Sequence, residues 1–338
     1  HTVEFALGAT GLNKYRGTPR NPWDEKIHRM PGGSSSGSAV AVASGLAAFA
    51  IGTDTGGSVR IPASLNGIVG LKTTKNRWPT DGIFPLSPTL DTPGPIARNV
   101  KDTKLIFNTY NGTIMDQKPI KLHDMTFGKL KEPFTSNLDP EVEQAYEIVC
   151  SKLVKLGAII EELVIPEANE KATLFPKIVG SEIISAFGKD RFIKNVDKMD
   201  PVTGNRAKLG LNVSSFEYIE AKKRHLELED IASKYFSKYD ALISPTTVMQ
   251  ALEVDKSIIG GELHERSLLA SANTQPANIF GLCGISFPIH NLLNNKSGKN
   301  FFLEVKSVTF VEDGIAKFPD AVTTRGMNHA KTLTDLVK

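Results

Sequence analysis

The hydrophobic and polar positions of this chain alternate between helical and strand-like patterns. Residues 39–50 form an apolar segment of helical length without a polar face, and a helix that is hydrophobic on all sides is normally buried. A second helix is predicted from Asp139-Pro140, a cap and a first-turn proline, to Gly157, because apolar residues recur between them at helical spacing. Residues 158–165 follow as a predicted strand. This alternation predicts an α/β fold with a sheet covered by helices on both faces.

The second half of the chain adds further predicted elements. Residues 166–238 are predicted to be mostly helical, with a break at residues 200–204 and a long amphipathic helix over residues 216–239. Residues 305–311 alternate like a half-buried strand, whereas residues 291–338 as a whole carry no recognisable motif. The pattern contains no repeat, low-complexity tract or convincing linker.

Two short segments rich in glycine and serine flank the apolar segment. The first, residues 32–38, contains Ser34 and leads directly into the predicted buried helix. The second, residues 52–58, has two glycines immediately before Ser58, so its backbone can adopt conformations that are barred to residues with a Cβ. Such a turn can direct successive N–H groups into one small space, where they stabilise the oxyanion of acyl transfer. The pattern predicts that Ser58 is a nucleophile beside its own oxyanion hole.

Other interpretations of these segments fit less well. A flexible Gly/Ser linker does not lead into a fully apolar helix. A nucleophile elbow centred on Ser35 needs a strand just before it, which residues 29–32 do not provide. A phosphate-binding loop needs a lysine where Gly57 stands, and a dinucleotide fingerprint needs a fuller glycine spacing and a downstream acidic residue.

Residues 32–74 resemble the amidase signature, the motif of a family that hydrolyses amides through a Ser–cis-Ser–Lys triad. Similar segments before and after this stretch extend the resemblance over most of residues 1–290. The resemblance implies a mixed β-sheet core, with Ser58 as the nucleophile and Ser34 as the bridging serine that follows a cis peptide bond. It also implies an oxyanion hole made by the backbone N–H groups of Thr55, Gly56, Gly57 and Ser58.

The resemblance further implies residues that support this chemistry. Asp54 and Arg60 flank the loop and are expected to brace it, since a strained turn needs support from its surroundings. The alternative for Arg60 is an ordinary pair with a surface carboxylate. Three neighbouring serines are expected to cap the following helix rather than react: Ser35, Ser36 and Ser38. Residues 166–238 are expected to form a helical insert over the catalytic edge of the sheet, where substrate selectivity is set.

The chain departs from the family pattern at both ends. The family's catalytic lysine lies several tens of residues before the bridging serine, but only 33 residues precede Ser34. The lysines in that stretch, Lys14 and Lys26, do not lie in the family's lysine motif. We therefore expect one amidase-like domain over residues 1–338 that lacks the family's N-terminal part, with an atypical C-terminus over residues 291–338. Because a hydroxyl nucleophile needs a general base, this chain is expected to be weakly active or inactive by itself.

Composition and charge narrow the classes of function. The net charge is only +3, with acidic and basic residues interspersed, which argues against direct nucleic-acid binding. The longest apolar run, residues 39–51, is too short to span a bilayer, so we expect a cytoplasmic protein without a membrane partner. Cys150 and Cys283 lie in apolar patterns typical of reduced core residues. The seven histidines show no metal-ligand spacing, and we expect neither a metal nor a cofactor.

The sequence thus predicts an amidase that hydrolyses small-molecule amides, at C–N bonds other than peptide bonds, through an acyl-enzyme on Ser58. Two alternatives stay open. One is a glutaminase-type subunit of a transfer-RNA-dependent amidotransferase, although residues 81–95 look more like those of stand-alone amidases. The other is a catalytically dead amidase-like domain that binds small amides or a protein partner. Assembly into a homo-oligomer also stays open.

Overall fold

The structure is a computed structural model. It describes residues 1–112, 122–254 and 264–289, together with the backbone of three strands between residues 302 and 317. Within these residues, no helix combines the length and the hydrophobicity that crossing a bilayer requires.

The centre of the fold is a mixed sheet of eight strands in the order β1-β3-β2-β7-β8-β6-β4-β5. Its strands are β1 (Phe49–Asp54), β2 (Val69–Lys72), β3 (Thr92–Ala97), β4 (Thr126–Leu130), β5 (Ile159–Leu163), β6 (Ala241–Pro245), β7 (Gly284–Pro288) and β8 (Phe302–Ser307). The pairs β4–β5 and β4–β6 are parallel, and the other neighbours are antiparallel. A separate antiparallel pair is formed by β9 (Phe310–Glu312) and β10 (Ile315–Lys317).

Helices cover both faces of this sheet. They are α1 (Ser36–Ala43), α2 (Arg60–Leu65), α3 (Val100–Asn111), α4 (Pro140–Lys155), α5 (Lys171–Phe187), α6 (Lys189–Asn195), α7 (Pro201–Lys208), α8 (Ser215–Phe236), α9 (His264–Leu268) and α10 (Gln275–Ile279). One face packs against α5 and α8 through a buried cluster that includes Leu130, Ile178, Leu228 and Leu242. The opposite face packs against α3 and α4 through a second cluster that includes Phe107, Phe127, Val149 and Ile243. Successive residues of β6 point to opposite faces, as the pleat of a strand requires.

Several predicted elements have the expected type and place. The helix predicted from residue 139 to residue 157 is α4, with Asp139 at the N-cap position and Pro140 in its first turn. The strand predicted at residues 158–165 is β5, and the long helix predicted at residues 216–239 is α8. The two helices carry local signals: α4 has a proline in its first turn, and α8 begins with a capping box. The Asp139 side chain, however, makes no capping hydrogen bond to α4.

Three predicted boundaries were wrong. The apolar segment 39–50 is not one helix, because α1 ends at Ala43, Gly45 adopts a φ of +74°, and β1 begins at Phe49. The predicted break at residues 200–204 lies slightly earlier, since α7 already begins at Pro201 with Asp200 as its cap.

The strand predicted at residues 305–311 is divided between β8, which lies inside the main sheet, and β9, which pairs with β10. Residues 308 and 309, and the remainder of the expected atypical C-terminus, lie outside the described residues.

Candidate active site

The Gly-Gly-Ser loop, residues 54–60, joins the end of β1 to the first residue of α2. Within it Gly57 has a φ of +123°, which residues with a Cβ rarely adopt. The N–H of Gly57 donates to Oδ1 of Asp54 at 2.8 Å, so one of the four amides expected in the oxyanion hole is already engaged within the loop. The described residues provide no hydrogen-bond acceptor for the other three amides, those of Thr55, Gly56 and Ser58.

Ser34 lies in the loop that leads into α1, and the peptide bond between Gly33 and Ser34 is cis. Ser34 and Ser58 are both buried, at 1% and 8% exposure. The N–H of Ser35 donates to the carbonyl of Ser58 at 3.2 Å, so the two serine loops are in direct contact. No hydrogen bond joins the two serine hydroxyls in the described part of the chain. Catalytic hydrogen bonds are often long in unliganded sites and shorten when substrate binds.

Asp54 and Arg60 form an ion pair in the interior, with both side chains 0% exposed. Nε and Nη2 of Arg60 donate to the two carboxylate oxygens of Asp54, each at 3.0 Å. The same carboxylate accepts the N–H groups of Gly57 and Val59. The pair therefore fixes the backbone on both sides of Ser58, and Arg60 does not pair with a surface carboxylate.

The electrostatics of this pair follow from its surroundings. Burial by itself would raise the pKa of Asp54, but the charge and hydrogen bonds of Arg60 outweigh burial and lower the pKa to about 2. Lys72, at the end of β2, is also buried, and burial lowers its pKa to about 8 against the opposing attraction of Asp54. Its Nζ donates to the carbonyl of Leu282 at 2.6 Å. Asp54 is thus ionised at neutral pH and faces two cationic groups.

The sequence interpretation missed three residues that hold the loop. Asn278 joins the ion pair, accepting from Arg60 at 2.7 Å and donating to Asp54 at 2.9 Å. The hydroxyl of Thr274 donates to the carbonyl of Gly56 at 2.7 Å. Both residues are more than 200 positions from the loop, and the sequence pointed to this part of the chain only through the family resemblance that extends over most of residues 1–290.

The third missed residue is Asp91, whose carboxylate accepts the Thr55 hydroxyl at 2.5 Å and the N–H groups of Leu86 and Ser87. Burial raises the pKa of Asp91 to about 6, and these hydrogen bonds oppose the shift without cancelling it. The Gly-Gly-Ser loop is therefore tied to residues 86–91 as well as to α10.

A pocket of about 300 Å³, part of it open to solvent, lies over Ser58. The Gly-Gly-Ser loop contributes Thr55, Gly56 and Ser58 to its walls. The other walls come from the N-terminal segment, from helices α2, α5, α7 and α10, and from two connecting segments. The lining residues of these parts are Ala6, Leu7, Gly8, Ala9, Ile61, Leu86, Phe175, Arg206, Ser271 and Gln275. Phe175 packs so closely on Gly56 that a Cβ there would lie 2.7 Å from its ring. Ser58 thus lies at this pocket beside the three unengaged amides.

The serines next to Ser34 do not cap α1, contrary to the expectation. Ser35 occupies the N-cap position without a capping hydrogen bond, and its hydroxyl instead contacts the backbone of Thr53. Ser36 and Ser38 lie within the helix, and the Ser38 hydroxyl donates to the carbonyl of Ile51 at 3.1 Å. These hydroxyls therefore connect α1 to β1 and to the Ser34 loop.

Neither lysine that precedes Ser34 lies at the pocket. Lys14 and Lys26 are exposed, and neither is among the residues that line the space over Ser58. In the described ranges, no group of three or more His, Cys, Asp or Glu side chains is arranged to hold a metal ion. Cys150 and Cys283 are buried and free, and burial raises the pKa of the Cys150 thiol to about 12.

Comparison with protein families gives two matches. The model described as Amidase matches residues 1–295. A second model, described as the sugar fermentation stimulation protein RE domain, matches residues 289–338, the part for which an atypical C-terminus was expected.

Individual proteins show the same relationship. The chain is 36% identical to a 2-amino-5-chloromuconic acid deaminase of Comamonas testosteroni. The match covers 86% of this chain and 63% of the deaminase. It is 32% identical to a subunit of the glutamyl-tRNA(Gln) amidotransferase of Lactococcus lactis, over 84% of this chain and 65% of the relative. The chain thus spans slightly less than two thirds of these curated relatives.

A solved structure described as an amidase matches the whole of this chain and 73% of its own, with a TM-score of 0.84 at 26% identity. The mixed sheet and its two helical layers are therefore the fold of that enzyme. Since a single family model extends over residues 1–295 and relatives of this family match most of the chain, the protein belongs to the amidase family.

Proposed function

We propose that this protein hydrolyses a small carboxylic amide through an acyl-enzyme formed on Ser58. The observation that carries the proposal is the position of Ser58 in a small pocket, beside three loop amides that lack an acceptor in the described residues and in contact with the Ser34 loop. A cluster of fixed amide donors stabilises the oxyanion that develops when a nucleophile adds to a carbonyl carbon.

The proposed reaction has two halves. Oγ of Ser58 attacks the amide carbon, and its proton passes to Ser34, whose own hydroxyl proton passes to a general base. The tetrahedral oxyanion is held by the amides of Thr55, Gly56 and Ser58, and the amine or ammonia leaves with a proton returned along the same path. Water then cleaves the acyl ester by the reverse proton path and frees Ser58.

The general base is the part of the triad that this sequence does not supply at a matching position. Lys14 and Lys26 are exposed and away from the pocket, so we assign this role to neither. The proposal requires a base other than Lys14 and Lys26, as the family resemblance implies. The chain by itself is therefore expected to react slowly at neutral pH.

A fluorophosphonate, which phosphorylates activated serines, tests the proposal without requiring turnover. The protein is expected to be labelled slowly at neutral pH, with the adduct on Ser58 by mass spectrometry of peptides. Ser58→Ala should abolish labelling. Ser38→Ala should leave it unchanged, because the Ser38 hydroxyl bonds to Ile51 and does not line the pocket. Labelling that survives Ser58→Ala, or an adduct on another serine, contradicts the proposal.

A second candidate function is supported by the relative in Lactococcus lactis, which belongs to a glutamyl-tRNA amidotransferase. In that case the protein hydrolyses glutamine and passes ammonia to partner subunits. Co-purification of partner subunits with the protein from its source, together with glutamine-dependent labelling protection, would favour this function. A domain without catalysis would give no adduct at all, even after long incubation at alkaline pH.

A further inference from the structure

Arg206 on α7 is the one charged residue among the described residues that line the pocket over Ser58. No acidic residue lines this pocket in the described part of the chain. We infer that Arg206 binds a carboxylate of the substrate, so that the amide cleaved at Ser58 is the monoamide of a dicarboxylic acid or a similar anionic amide. Cleavage of this amide rests on the proposed function, whereas binding of its carboxylate by Arg206 does not.

The guanidinium of Arg206 is not engaged by its surroundings. Among residues 1–112, 122–254 and 264–289, no hydrogen bond or ion pair reaches it. Lys208, one half-turn along the same helix, differs in this respect because it pairs with Asp197 at 3.4 Å on the surface. An arginine that lines a cavity without a partner is costly, since a charge removed from water is normally paired.

The acidic residues nearest to the start of α7 are engaged elsewhere. Asp200 accepts the N–H of Val202 at 3.0 Å with one oxygen and the N–H of Lys14 at 2.9 Å with the other. Glu4 accepts the N–H of Asp200 at 2.6 Å. Both carboxylates thus serve to hold the cap of α7 against the N-terminal segment instead of pairing with Arg206.

These contacts also fix Arg206 relative to the reactive serines. The hydroxyl of Thr203 on α7 donates to the carbonyl of Leu7 at 3.5 Å, and Leu7 itself lines the pocket. The same N-terminal segment contacts the Ser34 loop, since the N–H of Val3 donates to the carbonyl of Ser34 at 3.0 Å. The positively charged group and the serine pair therefore belong to one hydrogen-bonded frame.

The chemistry of the side chain selects the ligand. Burial lowers the pKa of Arg206, but a guanidinium stays protonated in proteins and presents a planar fork of N–H donors. That fork matches the two oxygens of a carboxylate, and such bidentate pairs are among the stronger hydrogen-bonded interactions in proteins. The pocket over Ser58 is small, which favours a short acyl chain between the amide and the carboxylate.

Two amides of nearly equal size test the inference, succinamate with a carboxylate and butyramide without one. We expect kcat/KM of the purified protein to be at least tenfold higher for succinamate. Arg206→Met should lower kcat/KM for succinamate by roughly 10- to 100-fold, mainly through KM, and change the value for butyramide less than threefold. Arg206→Lys should recover part of the loss, because it keeps the charge but not the fork. Lys208→Met, a charge removal on the same helix, should leave both substrates unaffected.

Binding measured without turnover separates this inference from the proposed reaction. Succinamate binding to Ser58→Ala, followed by calorimetry or ligand NMR, should weaken at least tenfold when Arg206→Met is added. Binding that depends on Arg206 in a protein that no fluorophosphonate labels would sustain the carboxylate site and reject the hydrolase. Equal losses for succinamate and butyramide, no preference for succinamate, or binding unchanged by Arg206→Met would overturn the carboxylate site.

Discussion

Two arginines show how differently the two sides of the candidate site are built. Arg60, in the Gly-Gly-Ser loop, is fully buried and donates to Asp54, Asn278 and the carbonyl of Thr274. Arg206, in the helical region of residues 166–238, faces the pocket and has no partner in the described residues. A satisfied network holds its members in one arrangement, whereas an unsatisfied donor is available to a ligand. Positioning of the reactive group and recognition of the substrate therefore come from different regions.

The largest expected effect is on stability, from breaking the buried pair. Arg60→Met removes the hydrogen-bonded partner of the buried Asp54 carboxylate and leaves Lys72 as its cationic neighbour, and we expect the free energy of unfolding in urea to fall by about 3–5 kcal/mol. The matched change in the helical region is Arg224→Met, which removes a surface pair with Glu170 at 2.7 Å. That variant should lose less than about 1 kcal/mol. Similar losses in the two variants would contradict the contrast between the regions.

A methyl group added to the loop should act mainly on reactivity. In Gly57→Ala the new Cβ overlaps the Thr274 hydroxyl, at a φ of +123° that alanine rarely adopts. We expect the rate of fluorophosphonate labelling at Ser58 to fall by roughly 10²-fold, because the loop amides move. The control is Gly188→Ala between α5 and α6, where φ is +80° and no atom of the described residues lies within 4 Å of the added Cβ. It should cost about 1–2 kcal/mol of stability and leave the labelling rate within twofold.

The acid dependence of stability should distinguish two carboxylates that both support the loop. The pKa of Asp91 is about 6 in the folded protein, above its ordinary 3.8, so the folded state binds its proton more tightly than the unfolded state. The stability that this group contributes is then fully present below about pH 4 and is lost as pH rises through about 6, by an amount on the order of 3 kcal/mol.

Urea unfolding at a series of pH values measures how the free energy of unfolding depends on pH. Asp91→Asn is expected to flatten the slope of this dependence between pH 4 and 6. The pKa of Asp54 is lowered to about 2, so its contribution has the opposite sign. It is complete above about pH 4 and is lost only as pH falls toward 2. An unchanged slope in Asp91→Asn would show that Asp91 titrates normally.

The smallest effect is expected at the start of α8, where the capping hydrogen bonds are exposed to solvent. Ser214 and Glu217 form a capping box, with the N–H of Glu217 donating to the Ser214 hydroxyl at 3.2 Å and the N–H of Ser214 donating to the Glu217 carboxylate at 3.0 Å. Ser214→Ala should destabilise the protein by about 1 kcal/mol without changing the labelling rate. Ser237→Ala at the other end of α8 is the control and should stay within 0.5 kcal/mol, as roughly expected of surface changes. A loss of labelling in Ser214→Ala would mean that α8 acts on the loop directly.

Features whose signals are local could be predicted from the amino-acid sequence. The double glycine before Ser58, the Ser34 segment and the family resemblance identified the protein family, and the model that matches residues 1–295 confirmed it. The cap and proline at Asp139-Pro140 located α4 in the same way. In each case neighbouring residues constrain one another through backbone conformation, which can be recognised without knowing the fold.

The distant groups that complete these local features could be identified only from the folded structure. Asn278 and Thr274 reach the loop because α10 lies beside α2, and Arg206 reaches the pocket because α7 is hydrogen-bonded to the N-terminal segment. The apolar run at residues 39–50 was divided between α1 and β1 because pairing of Phe49–Asp54 with β3 completes one edge of the sheet. Hydrophobicity fixes that a segment is buried, but its pairing partners fix its conformation, and those partners lie far away in the sequence.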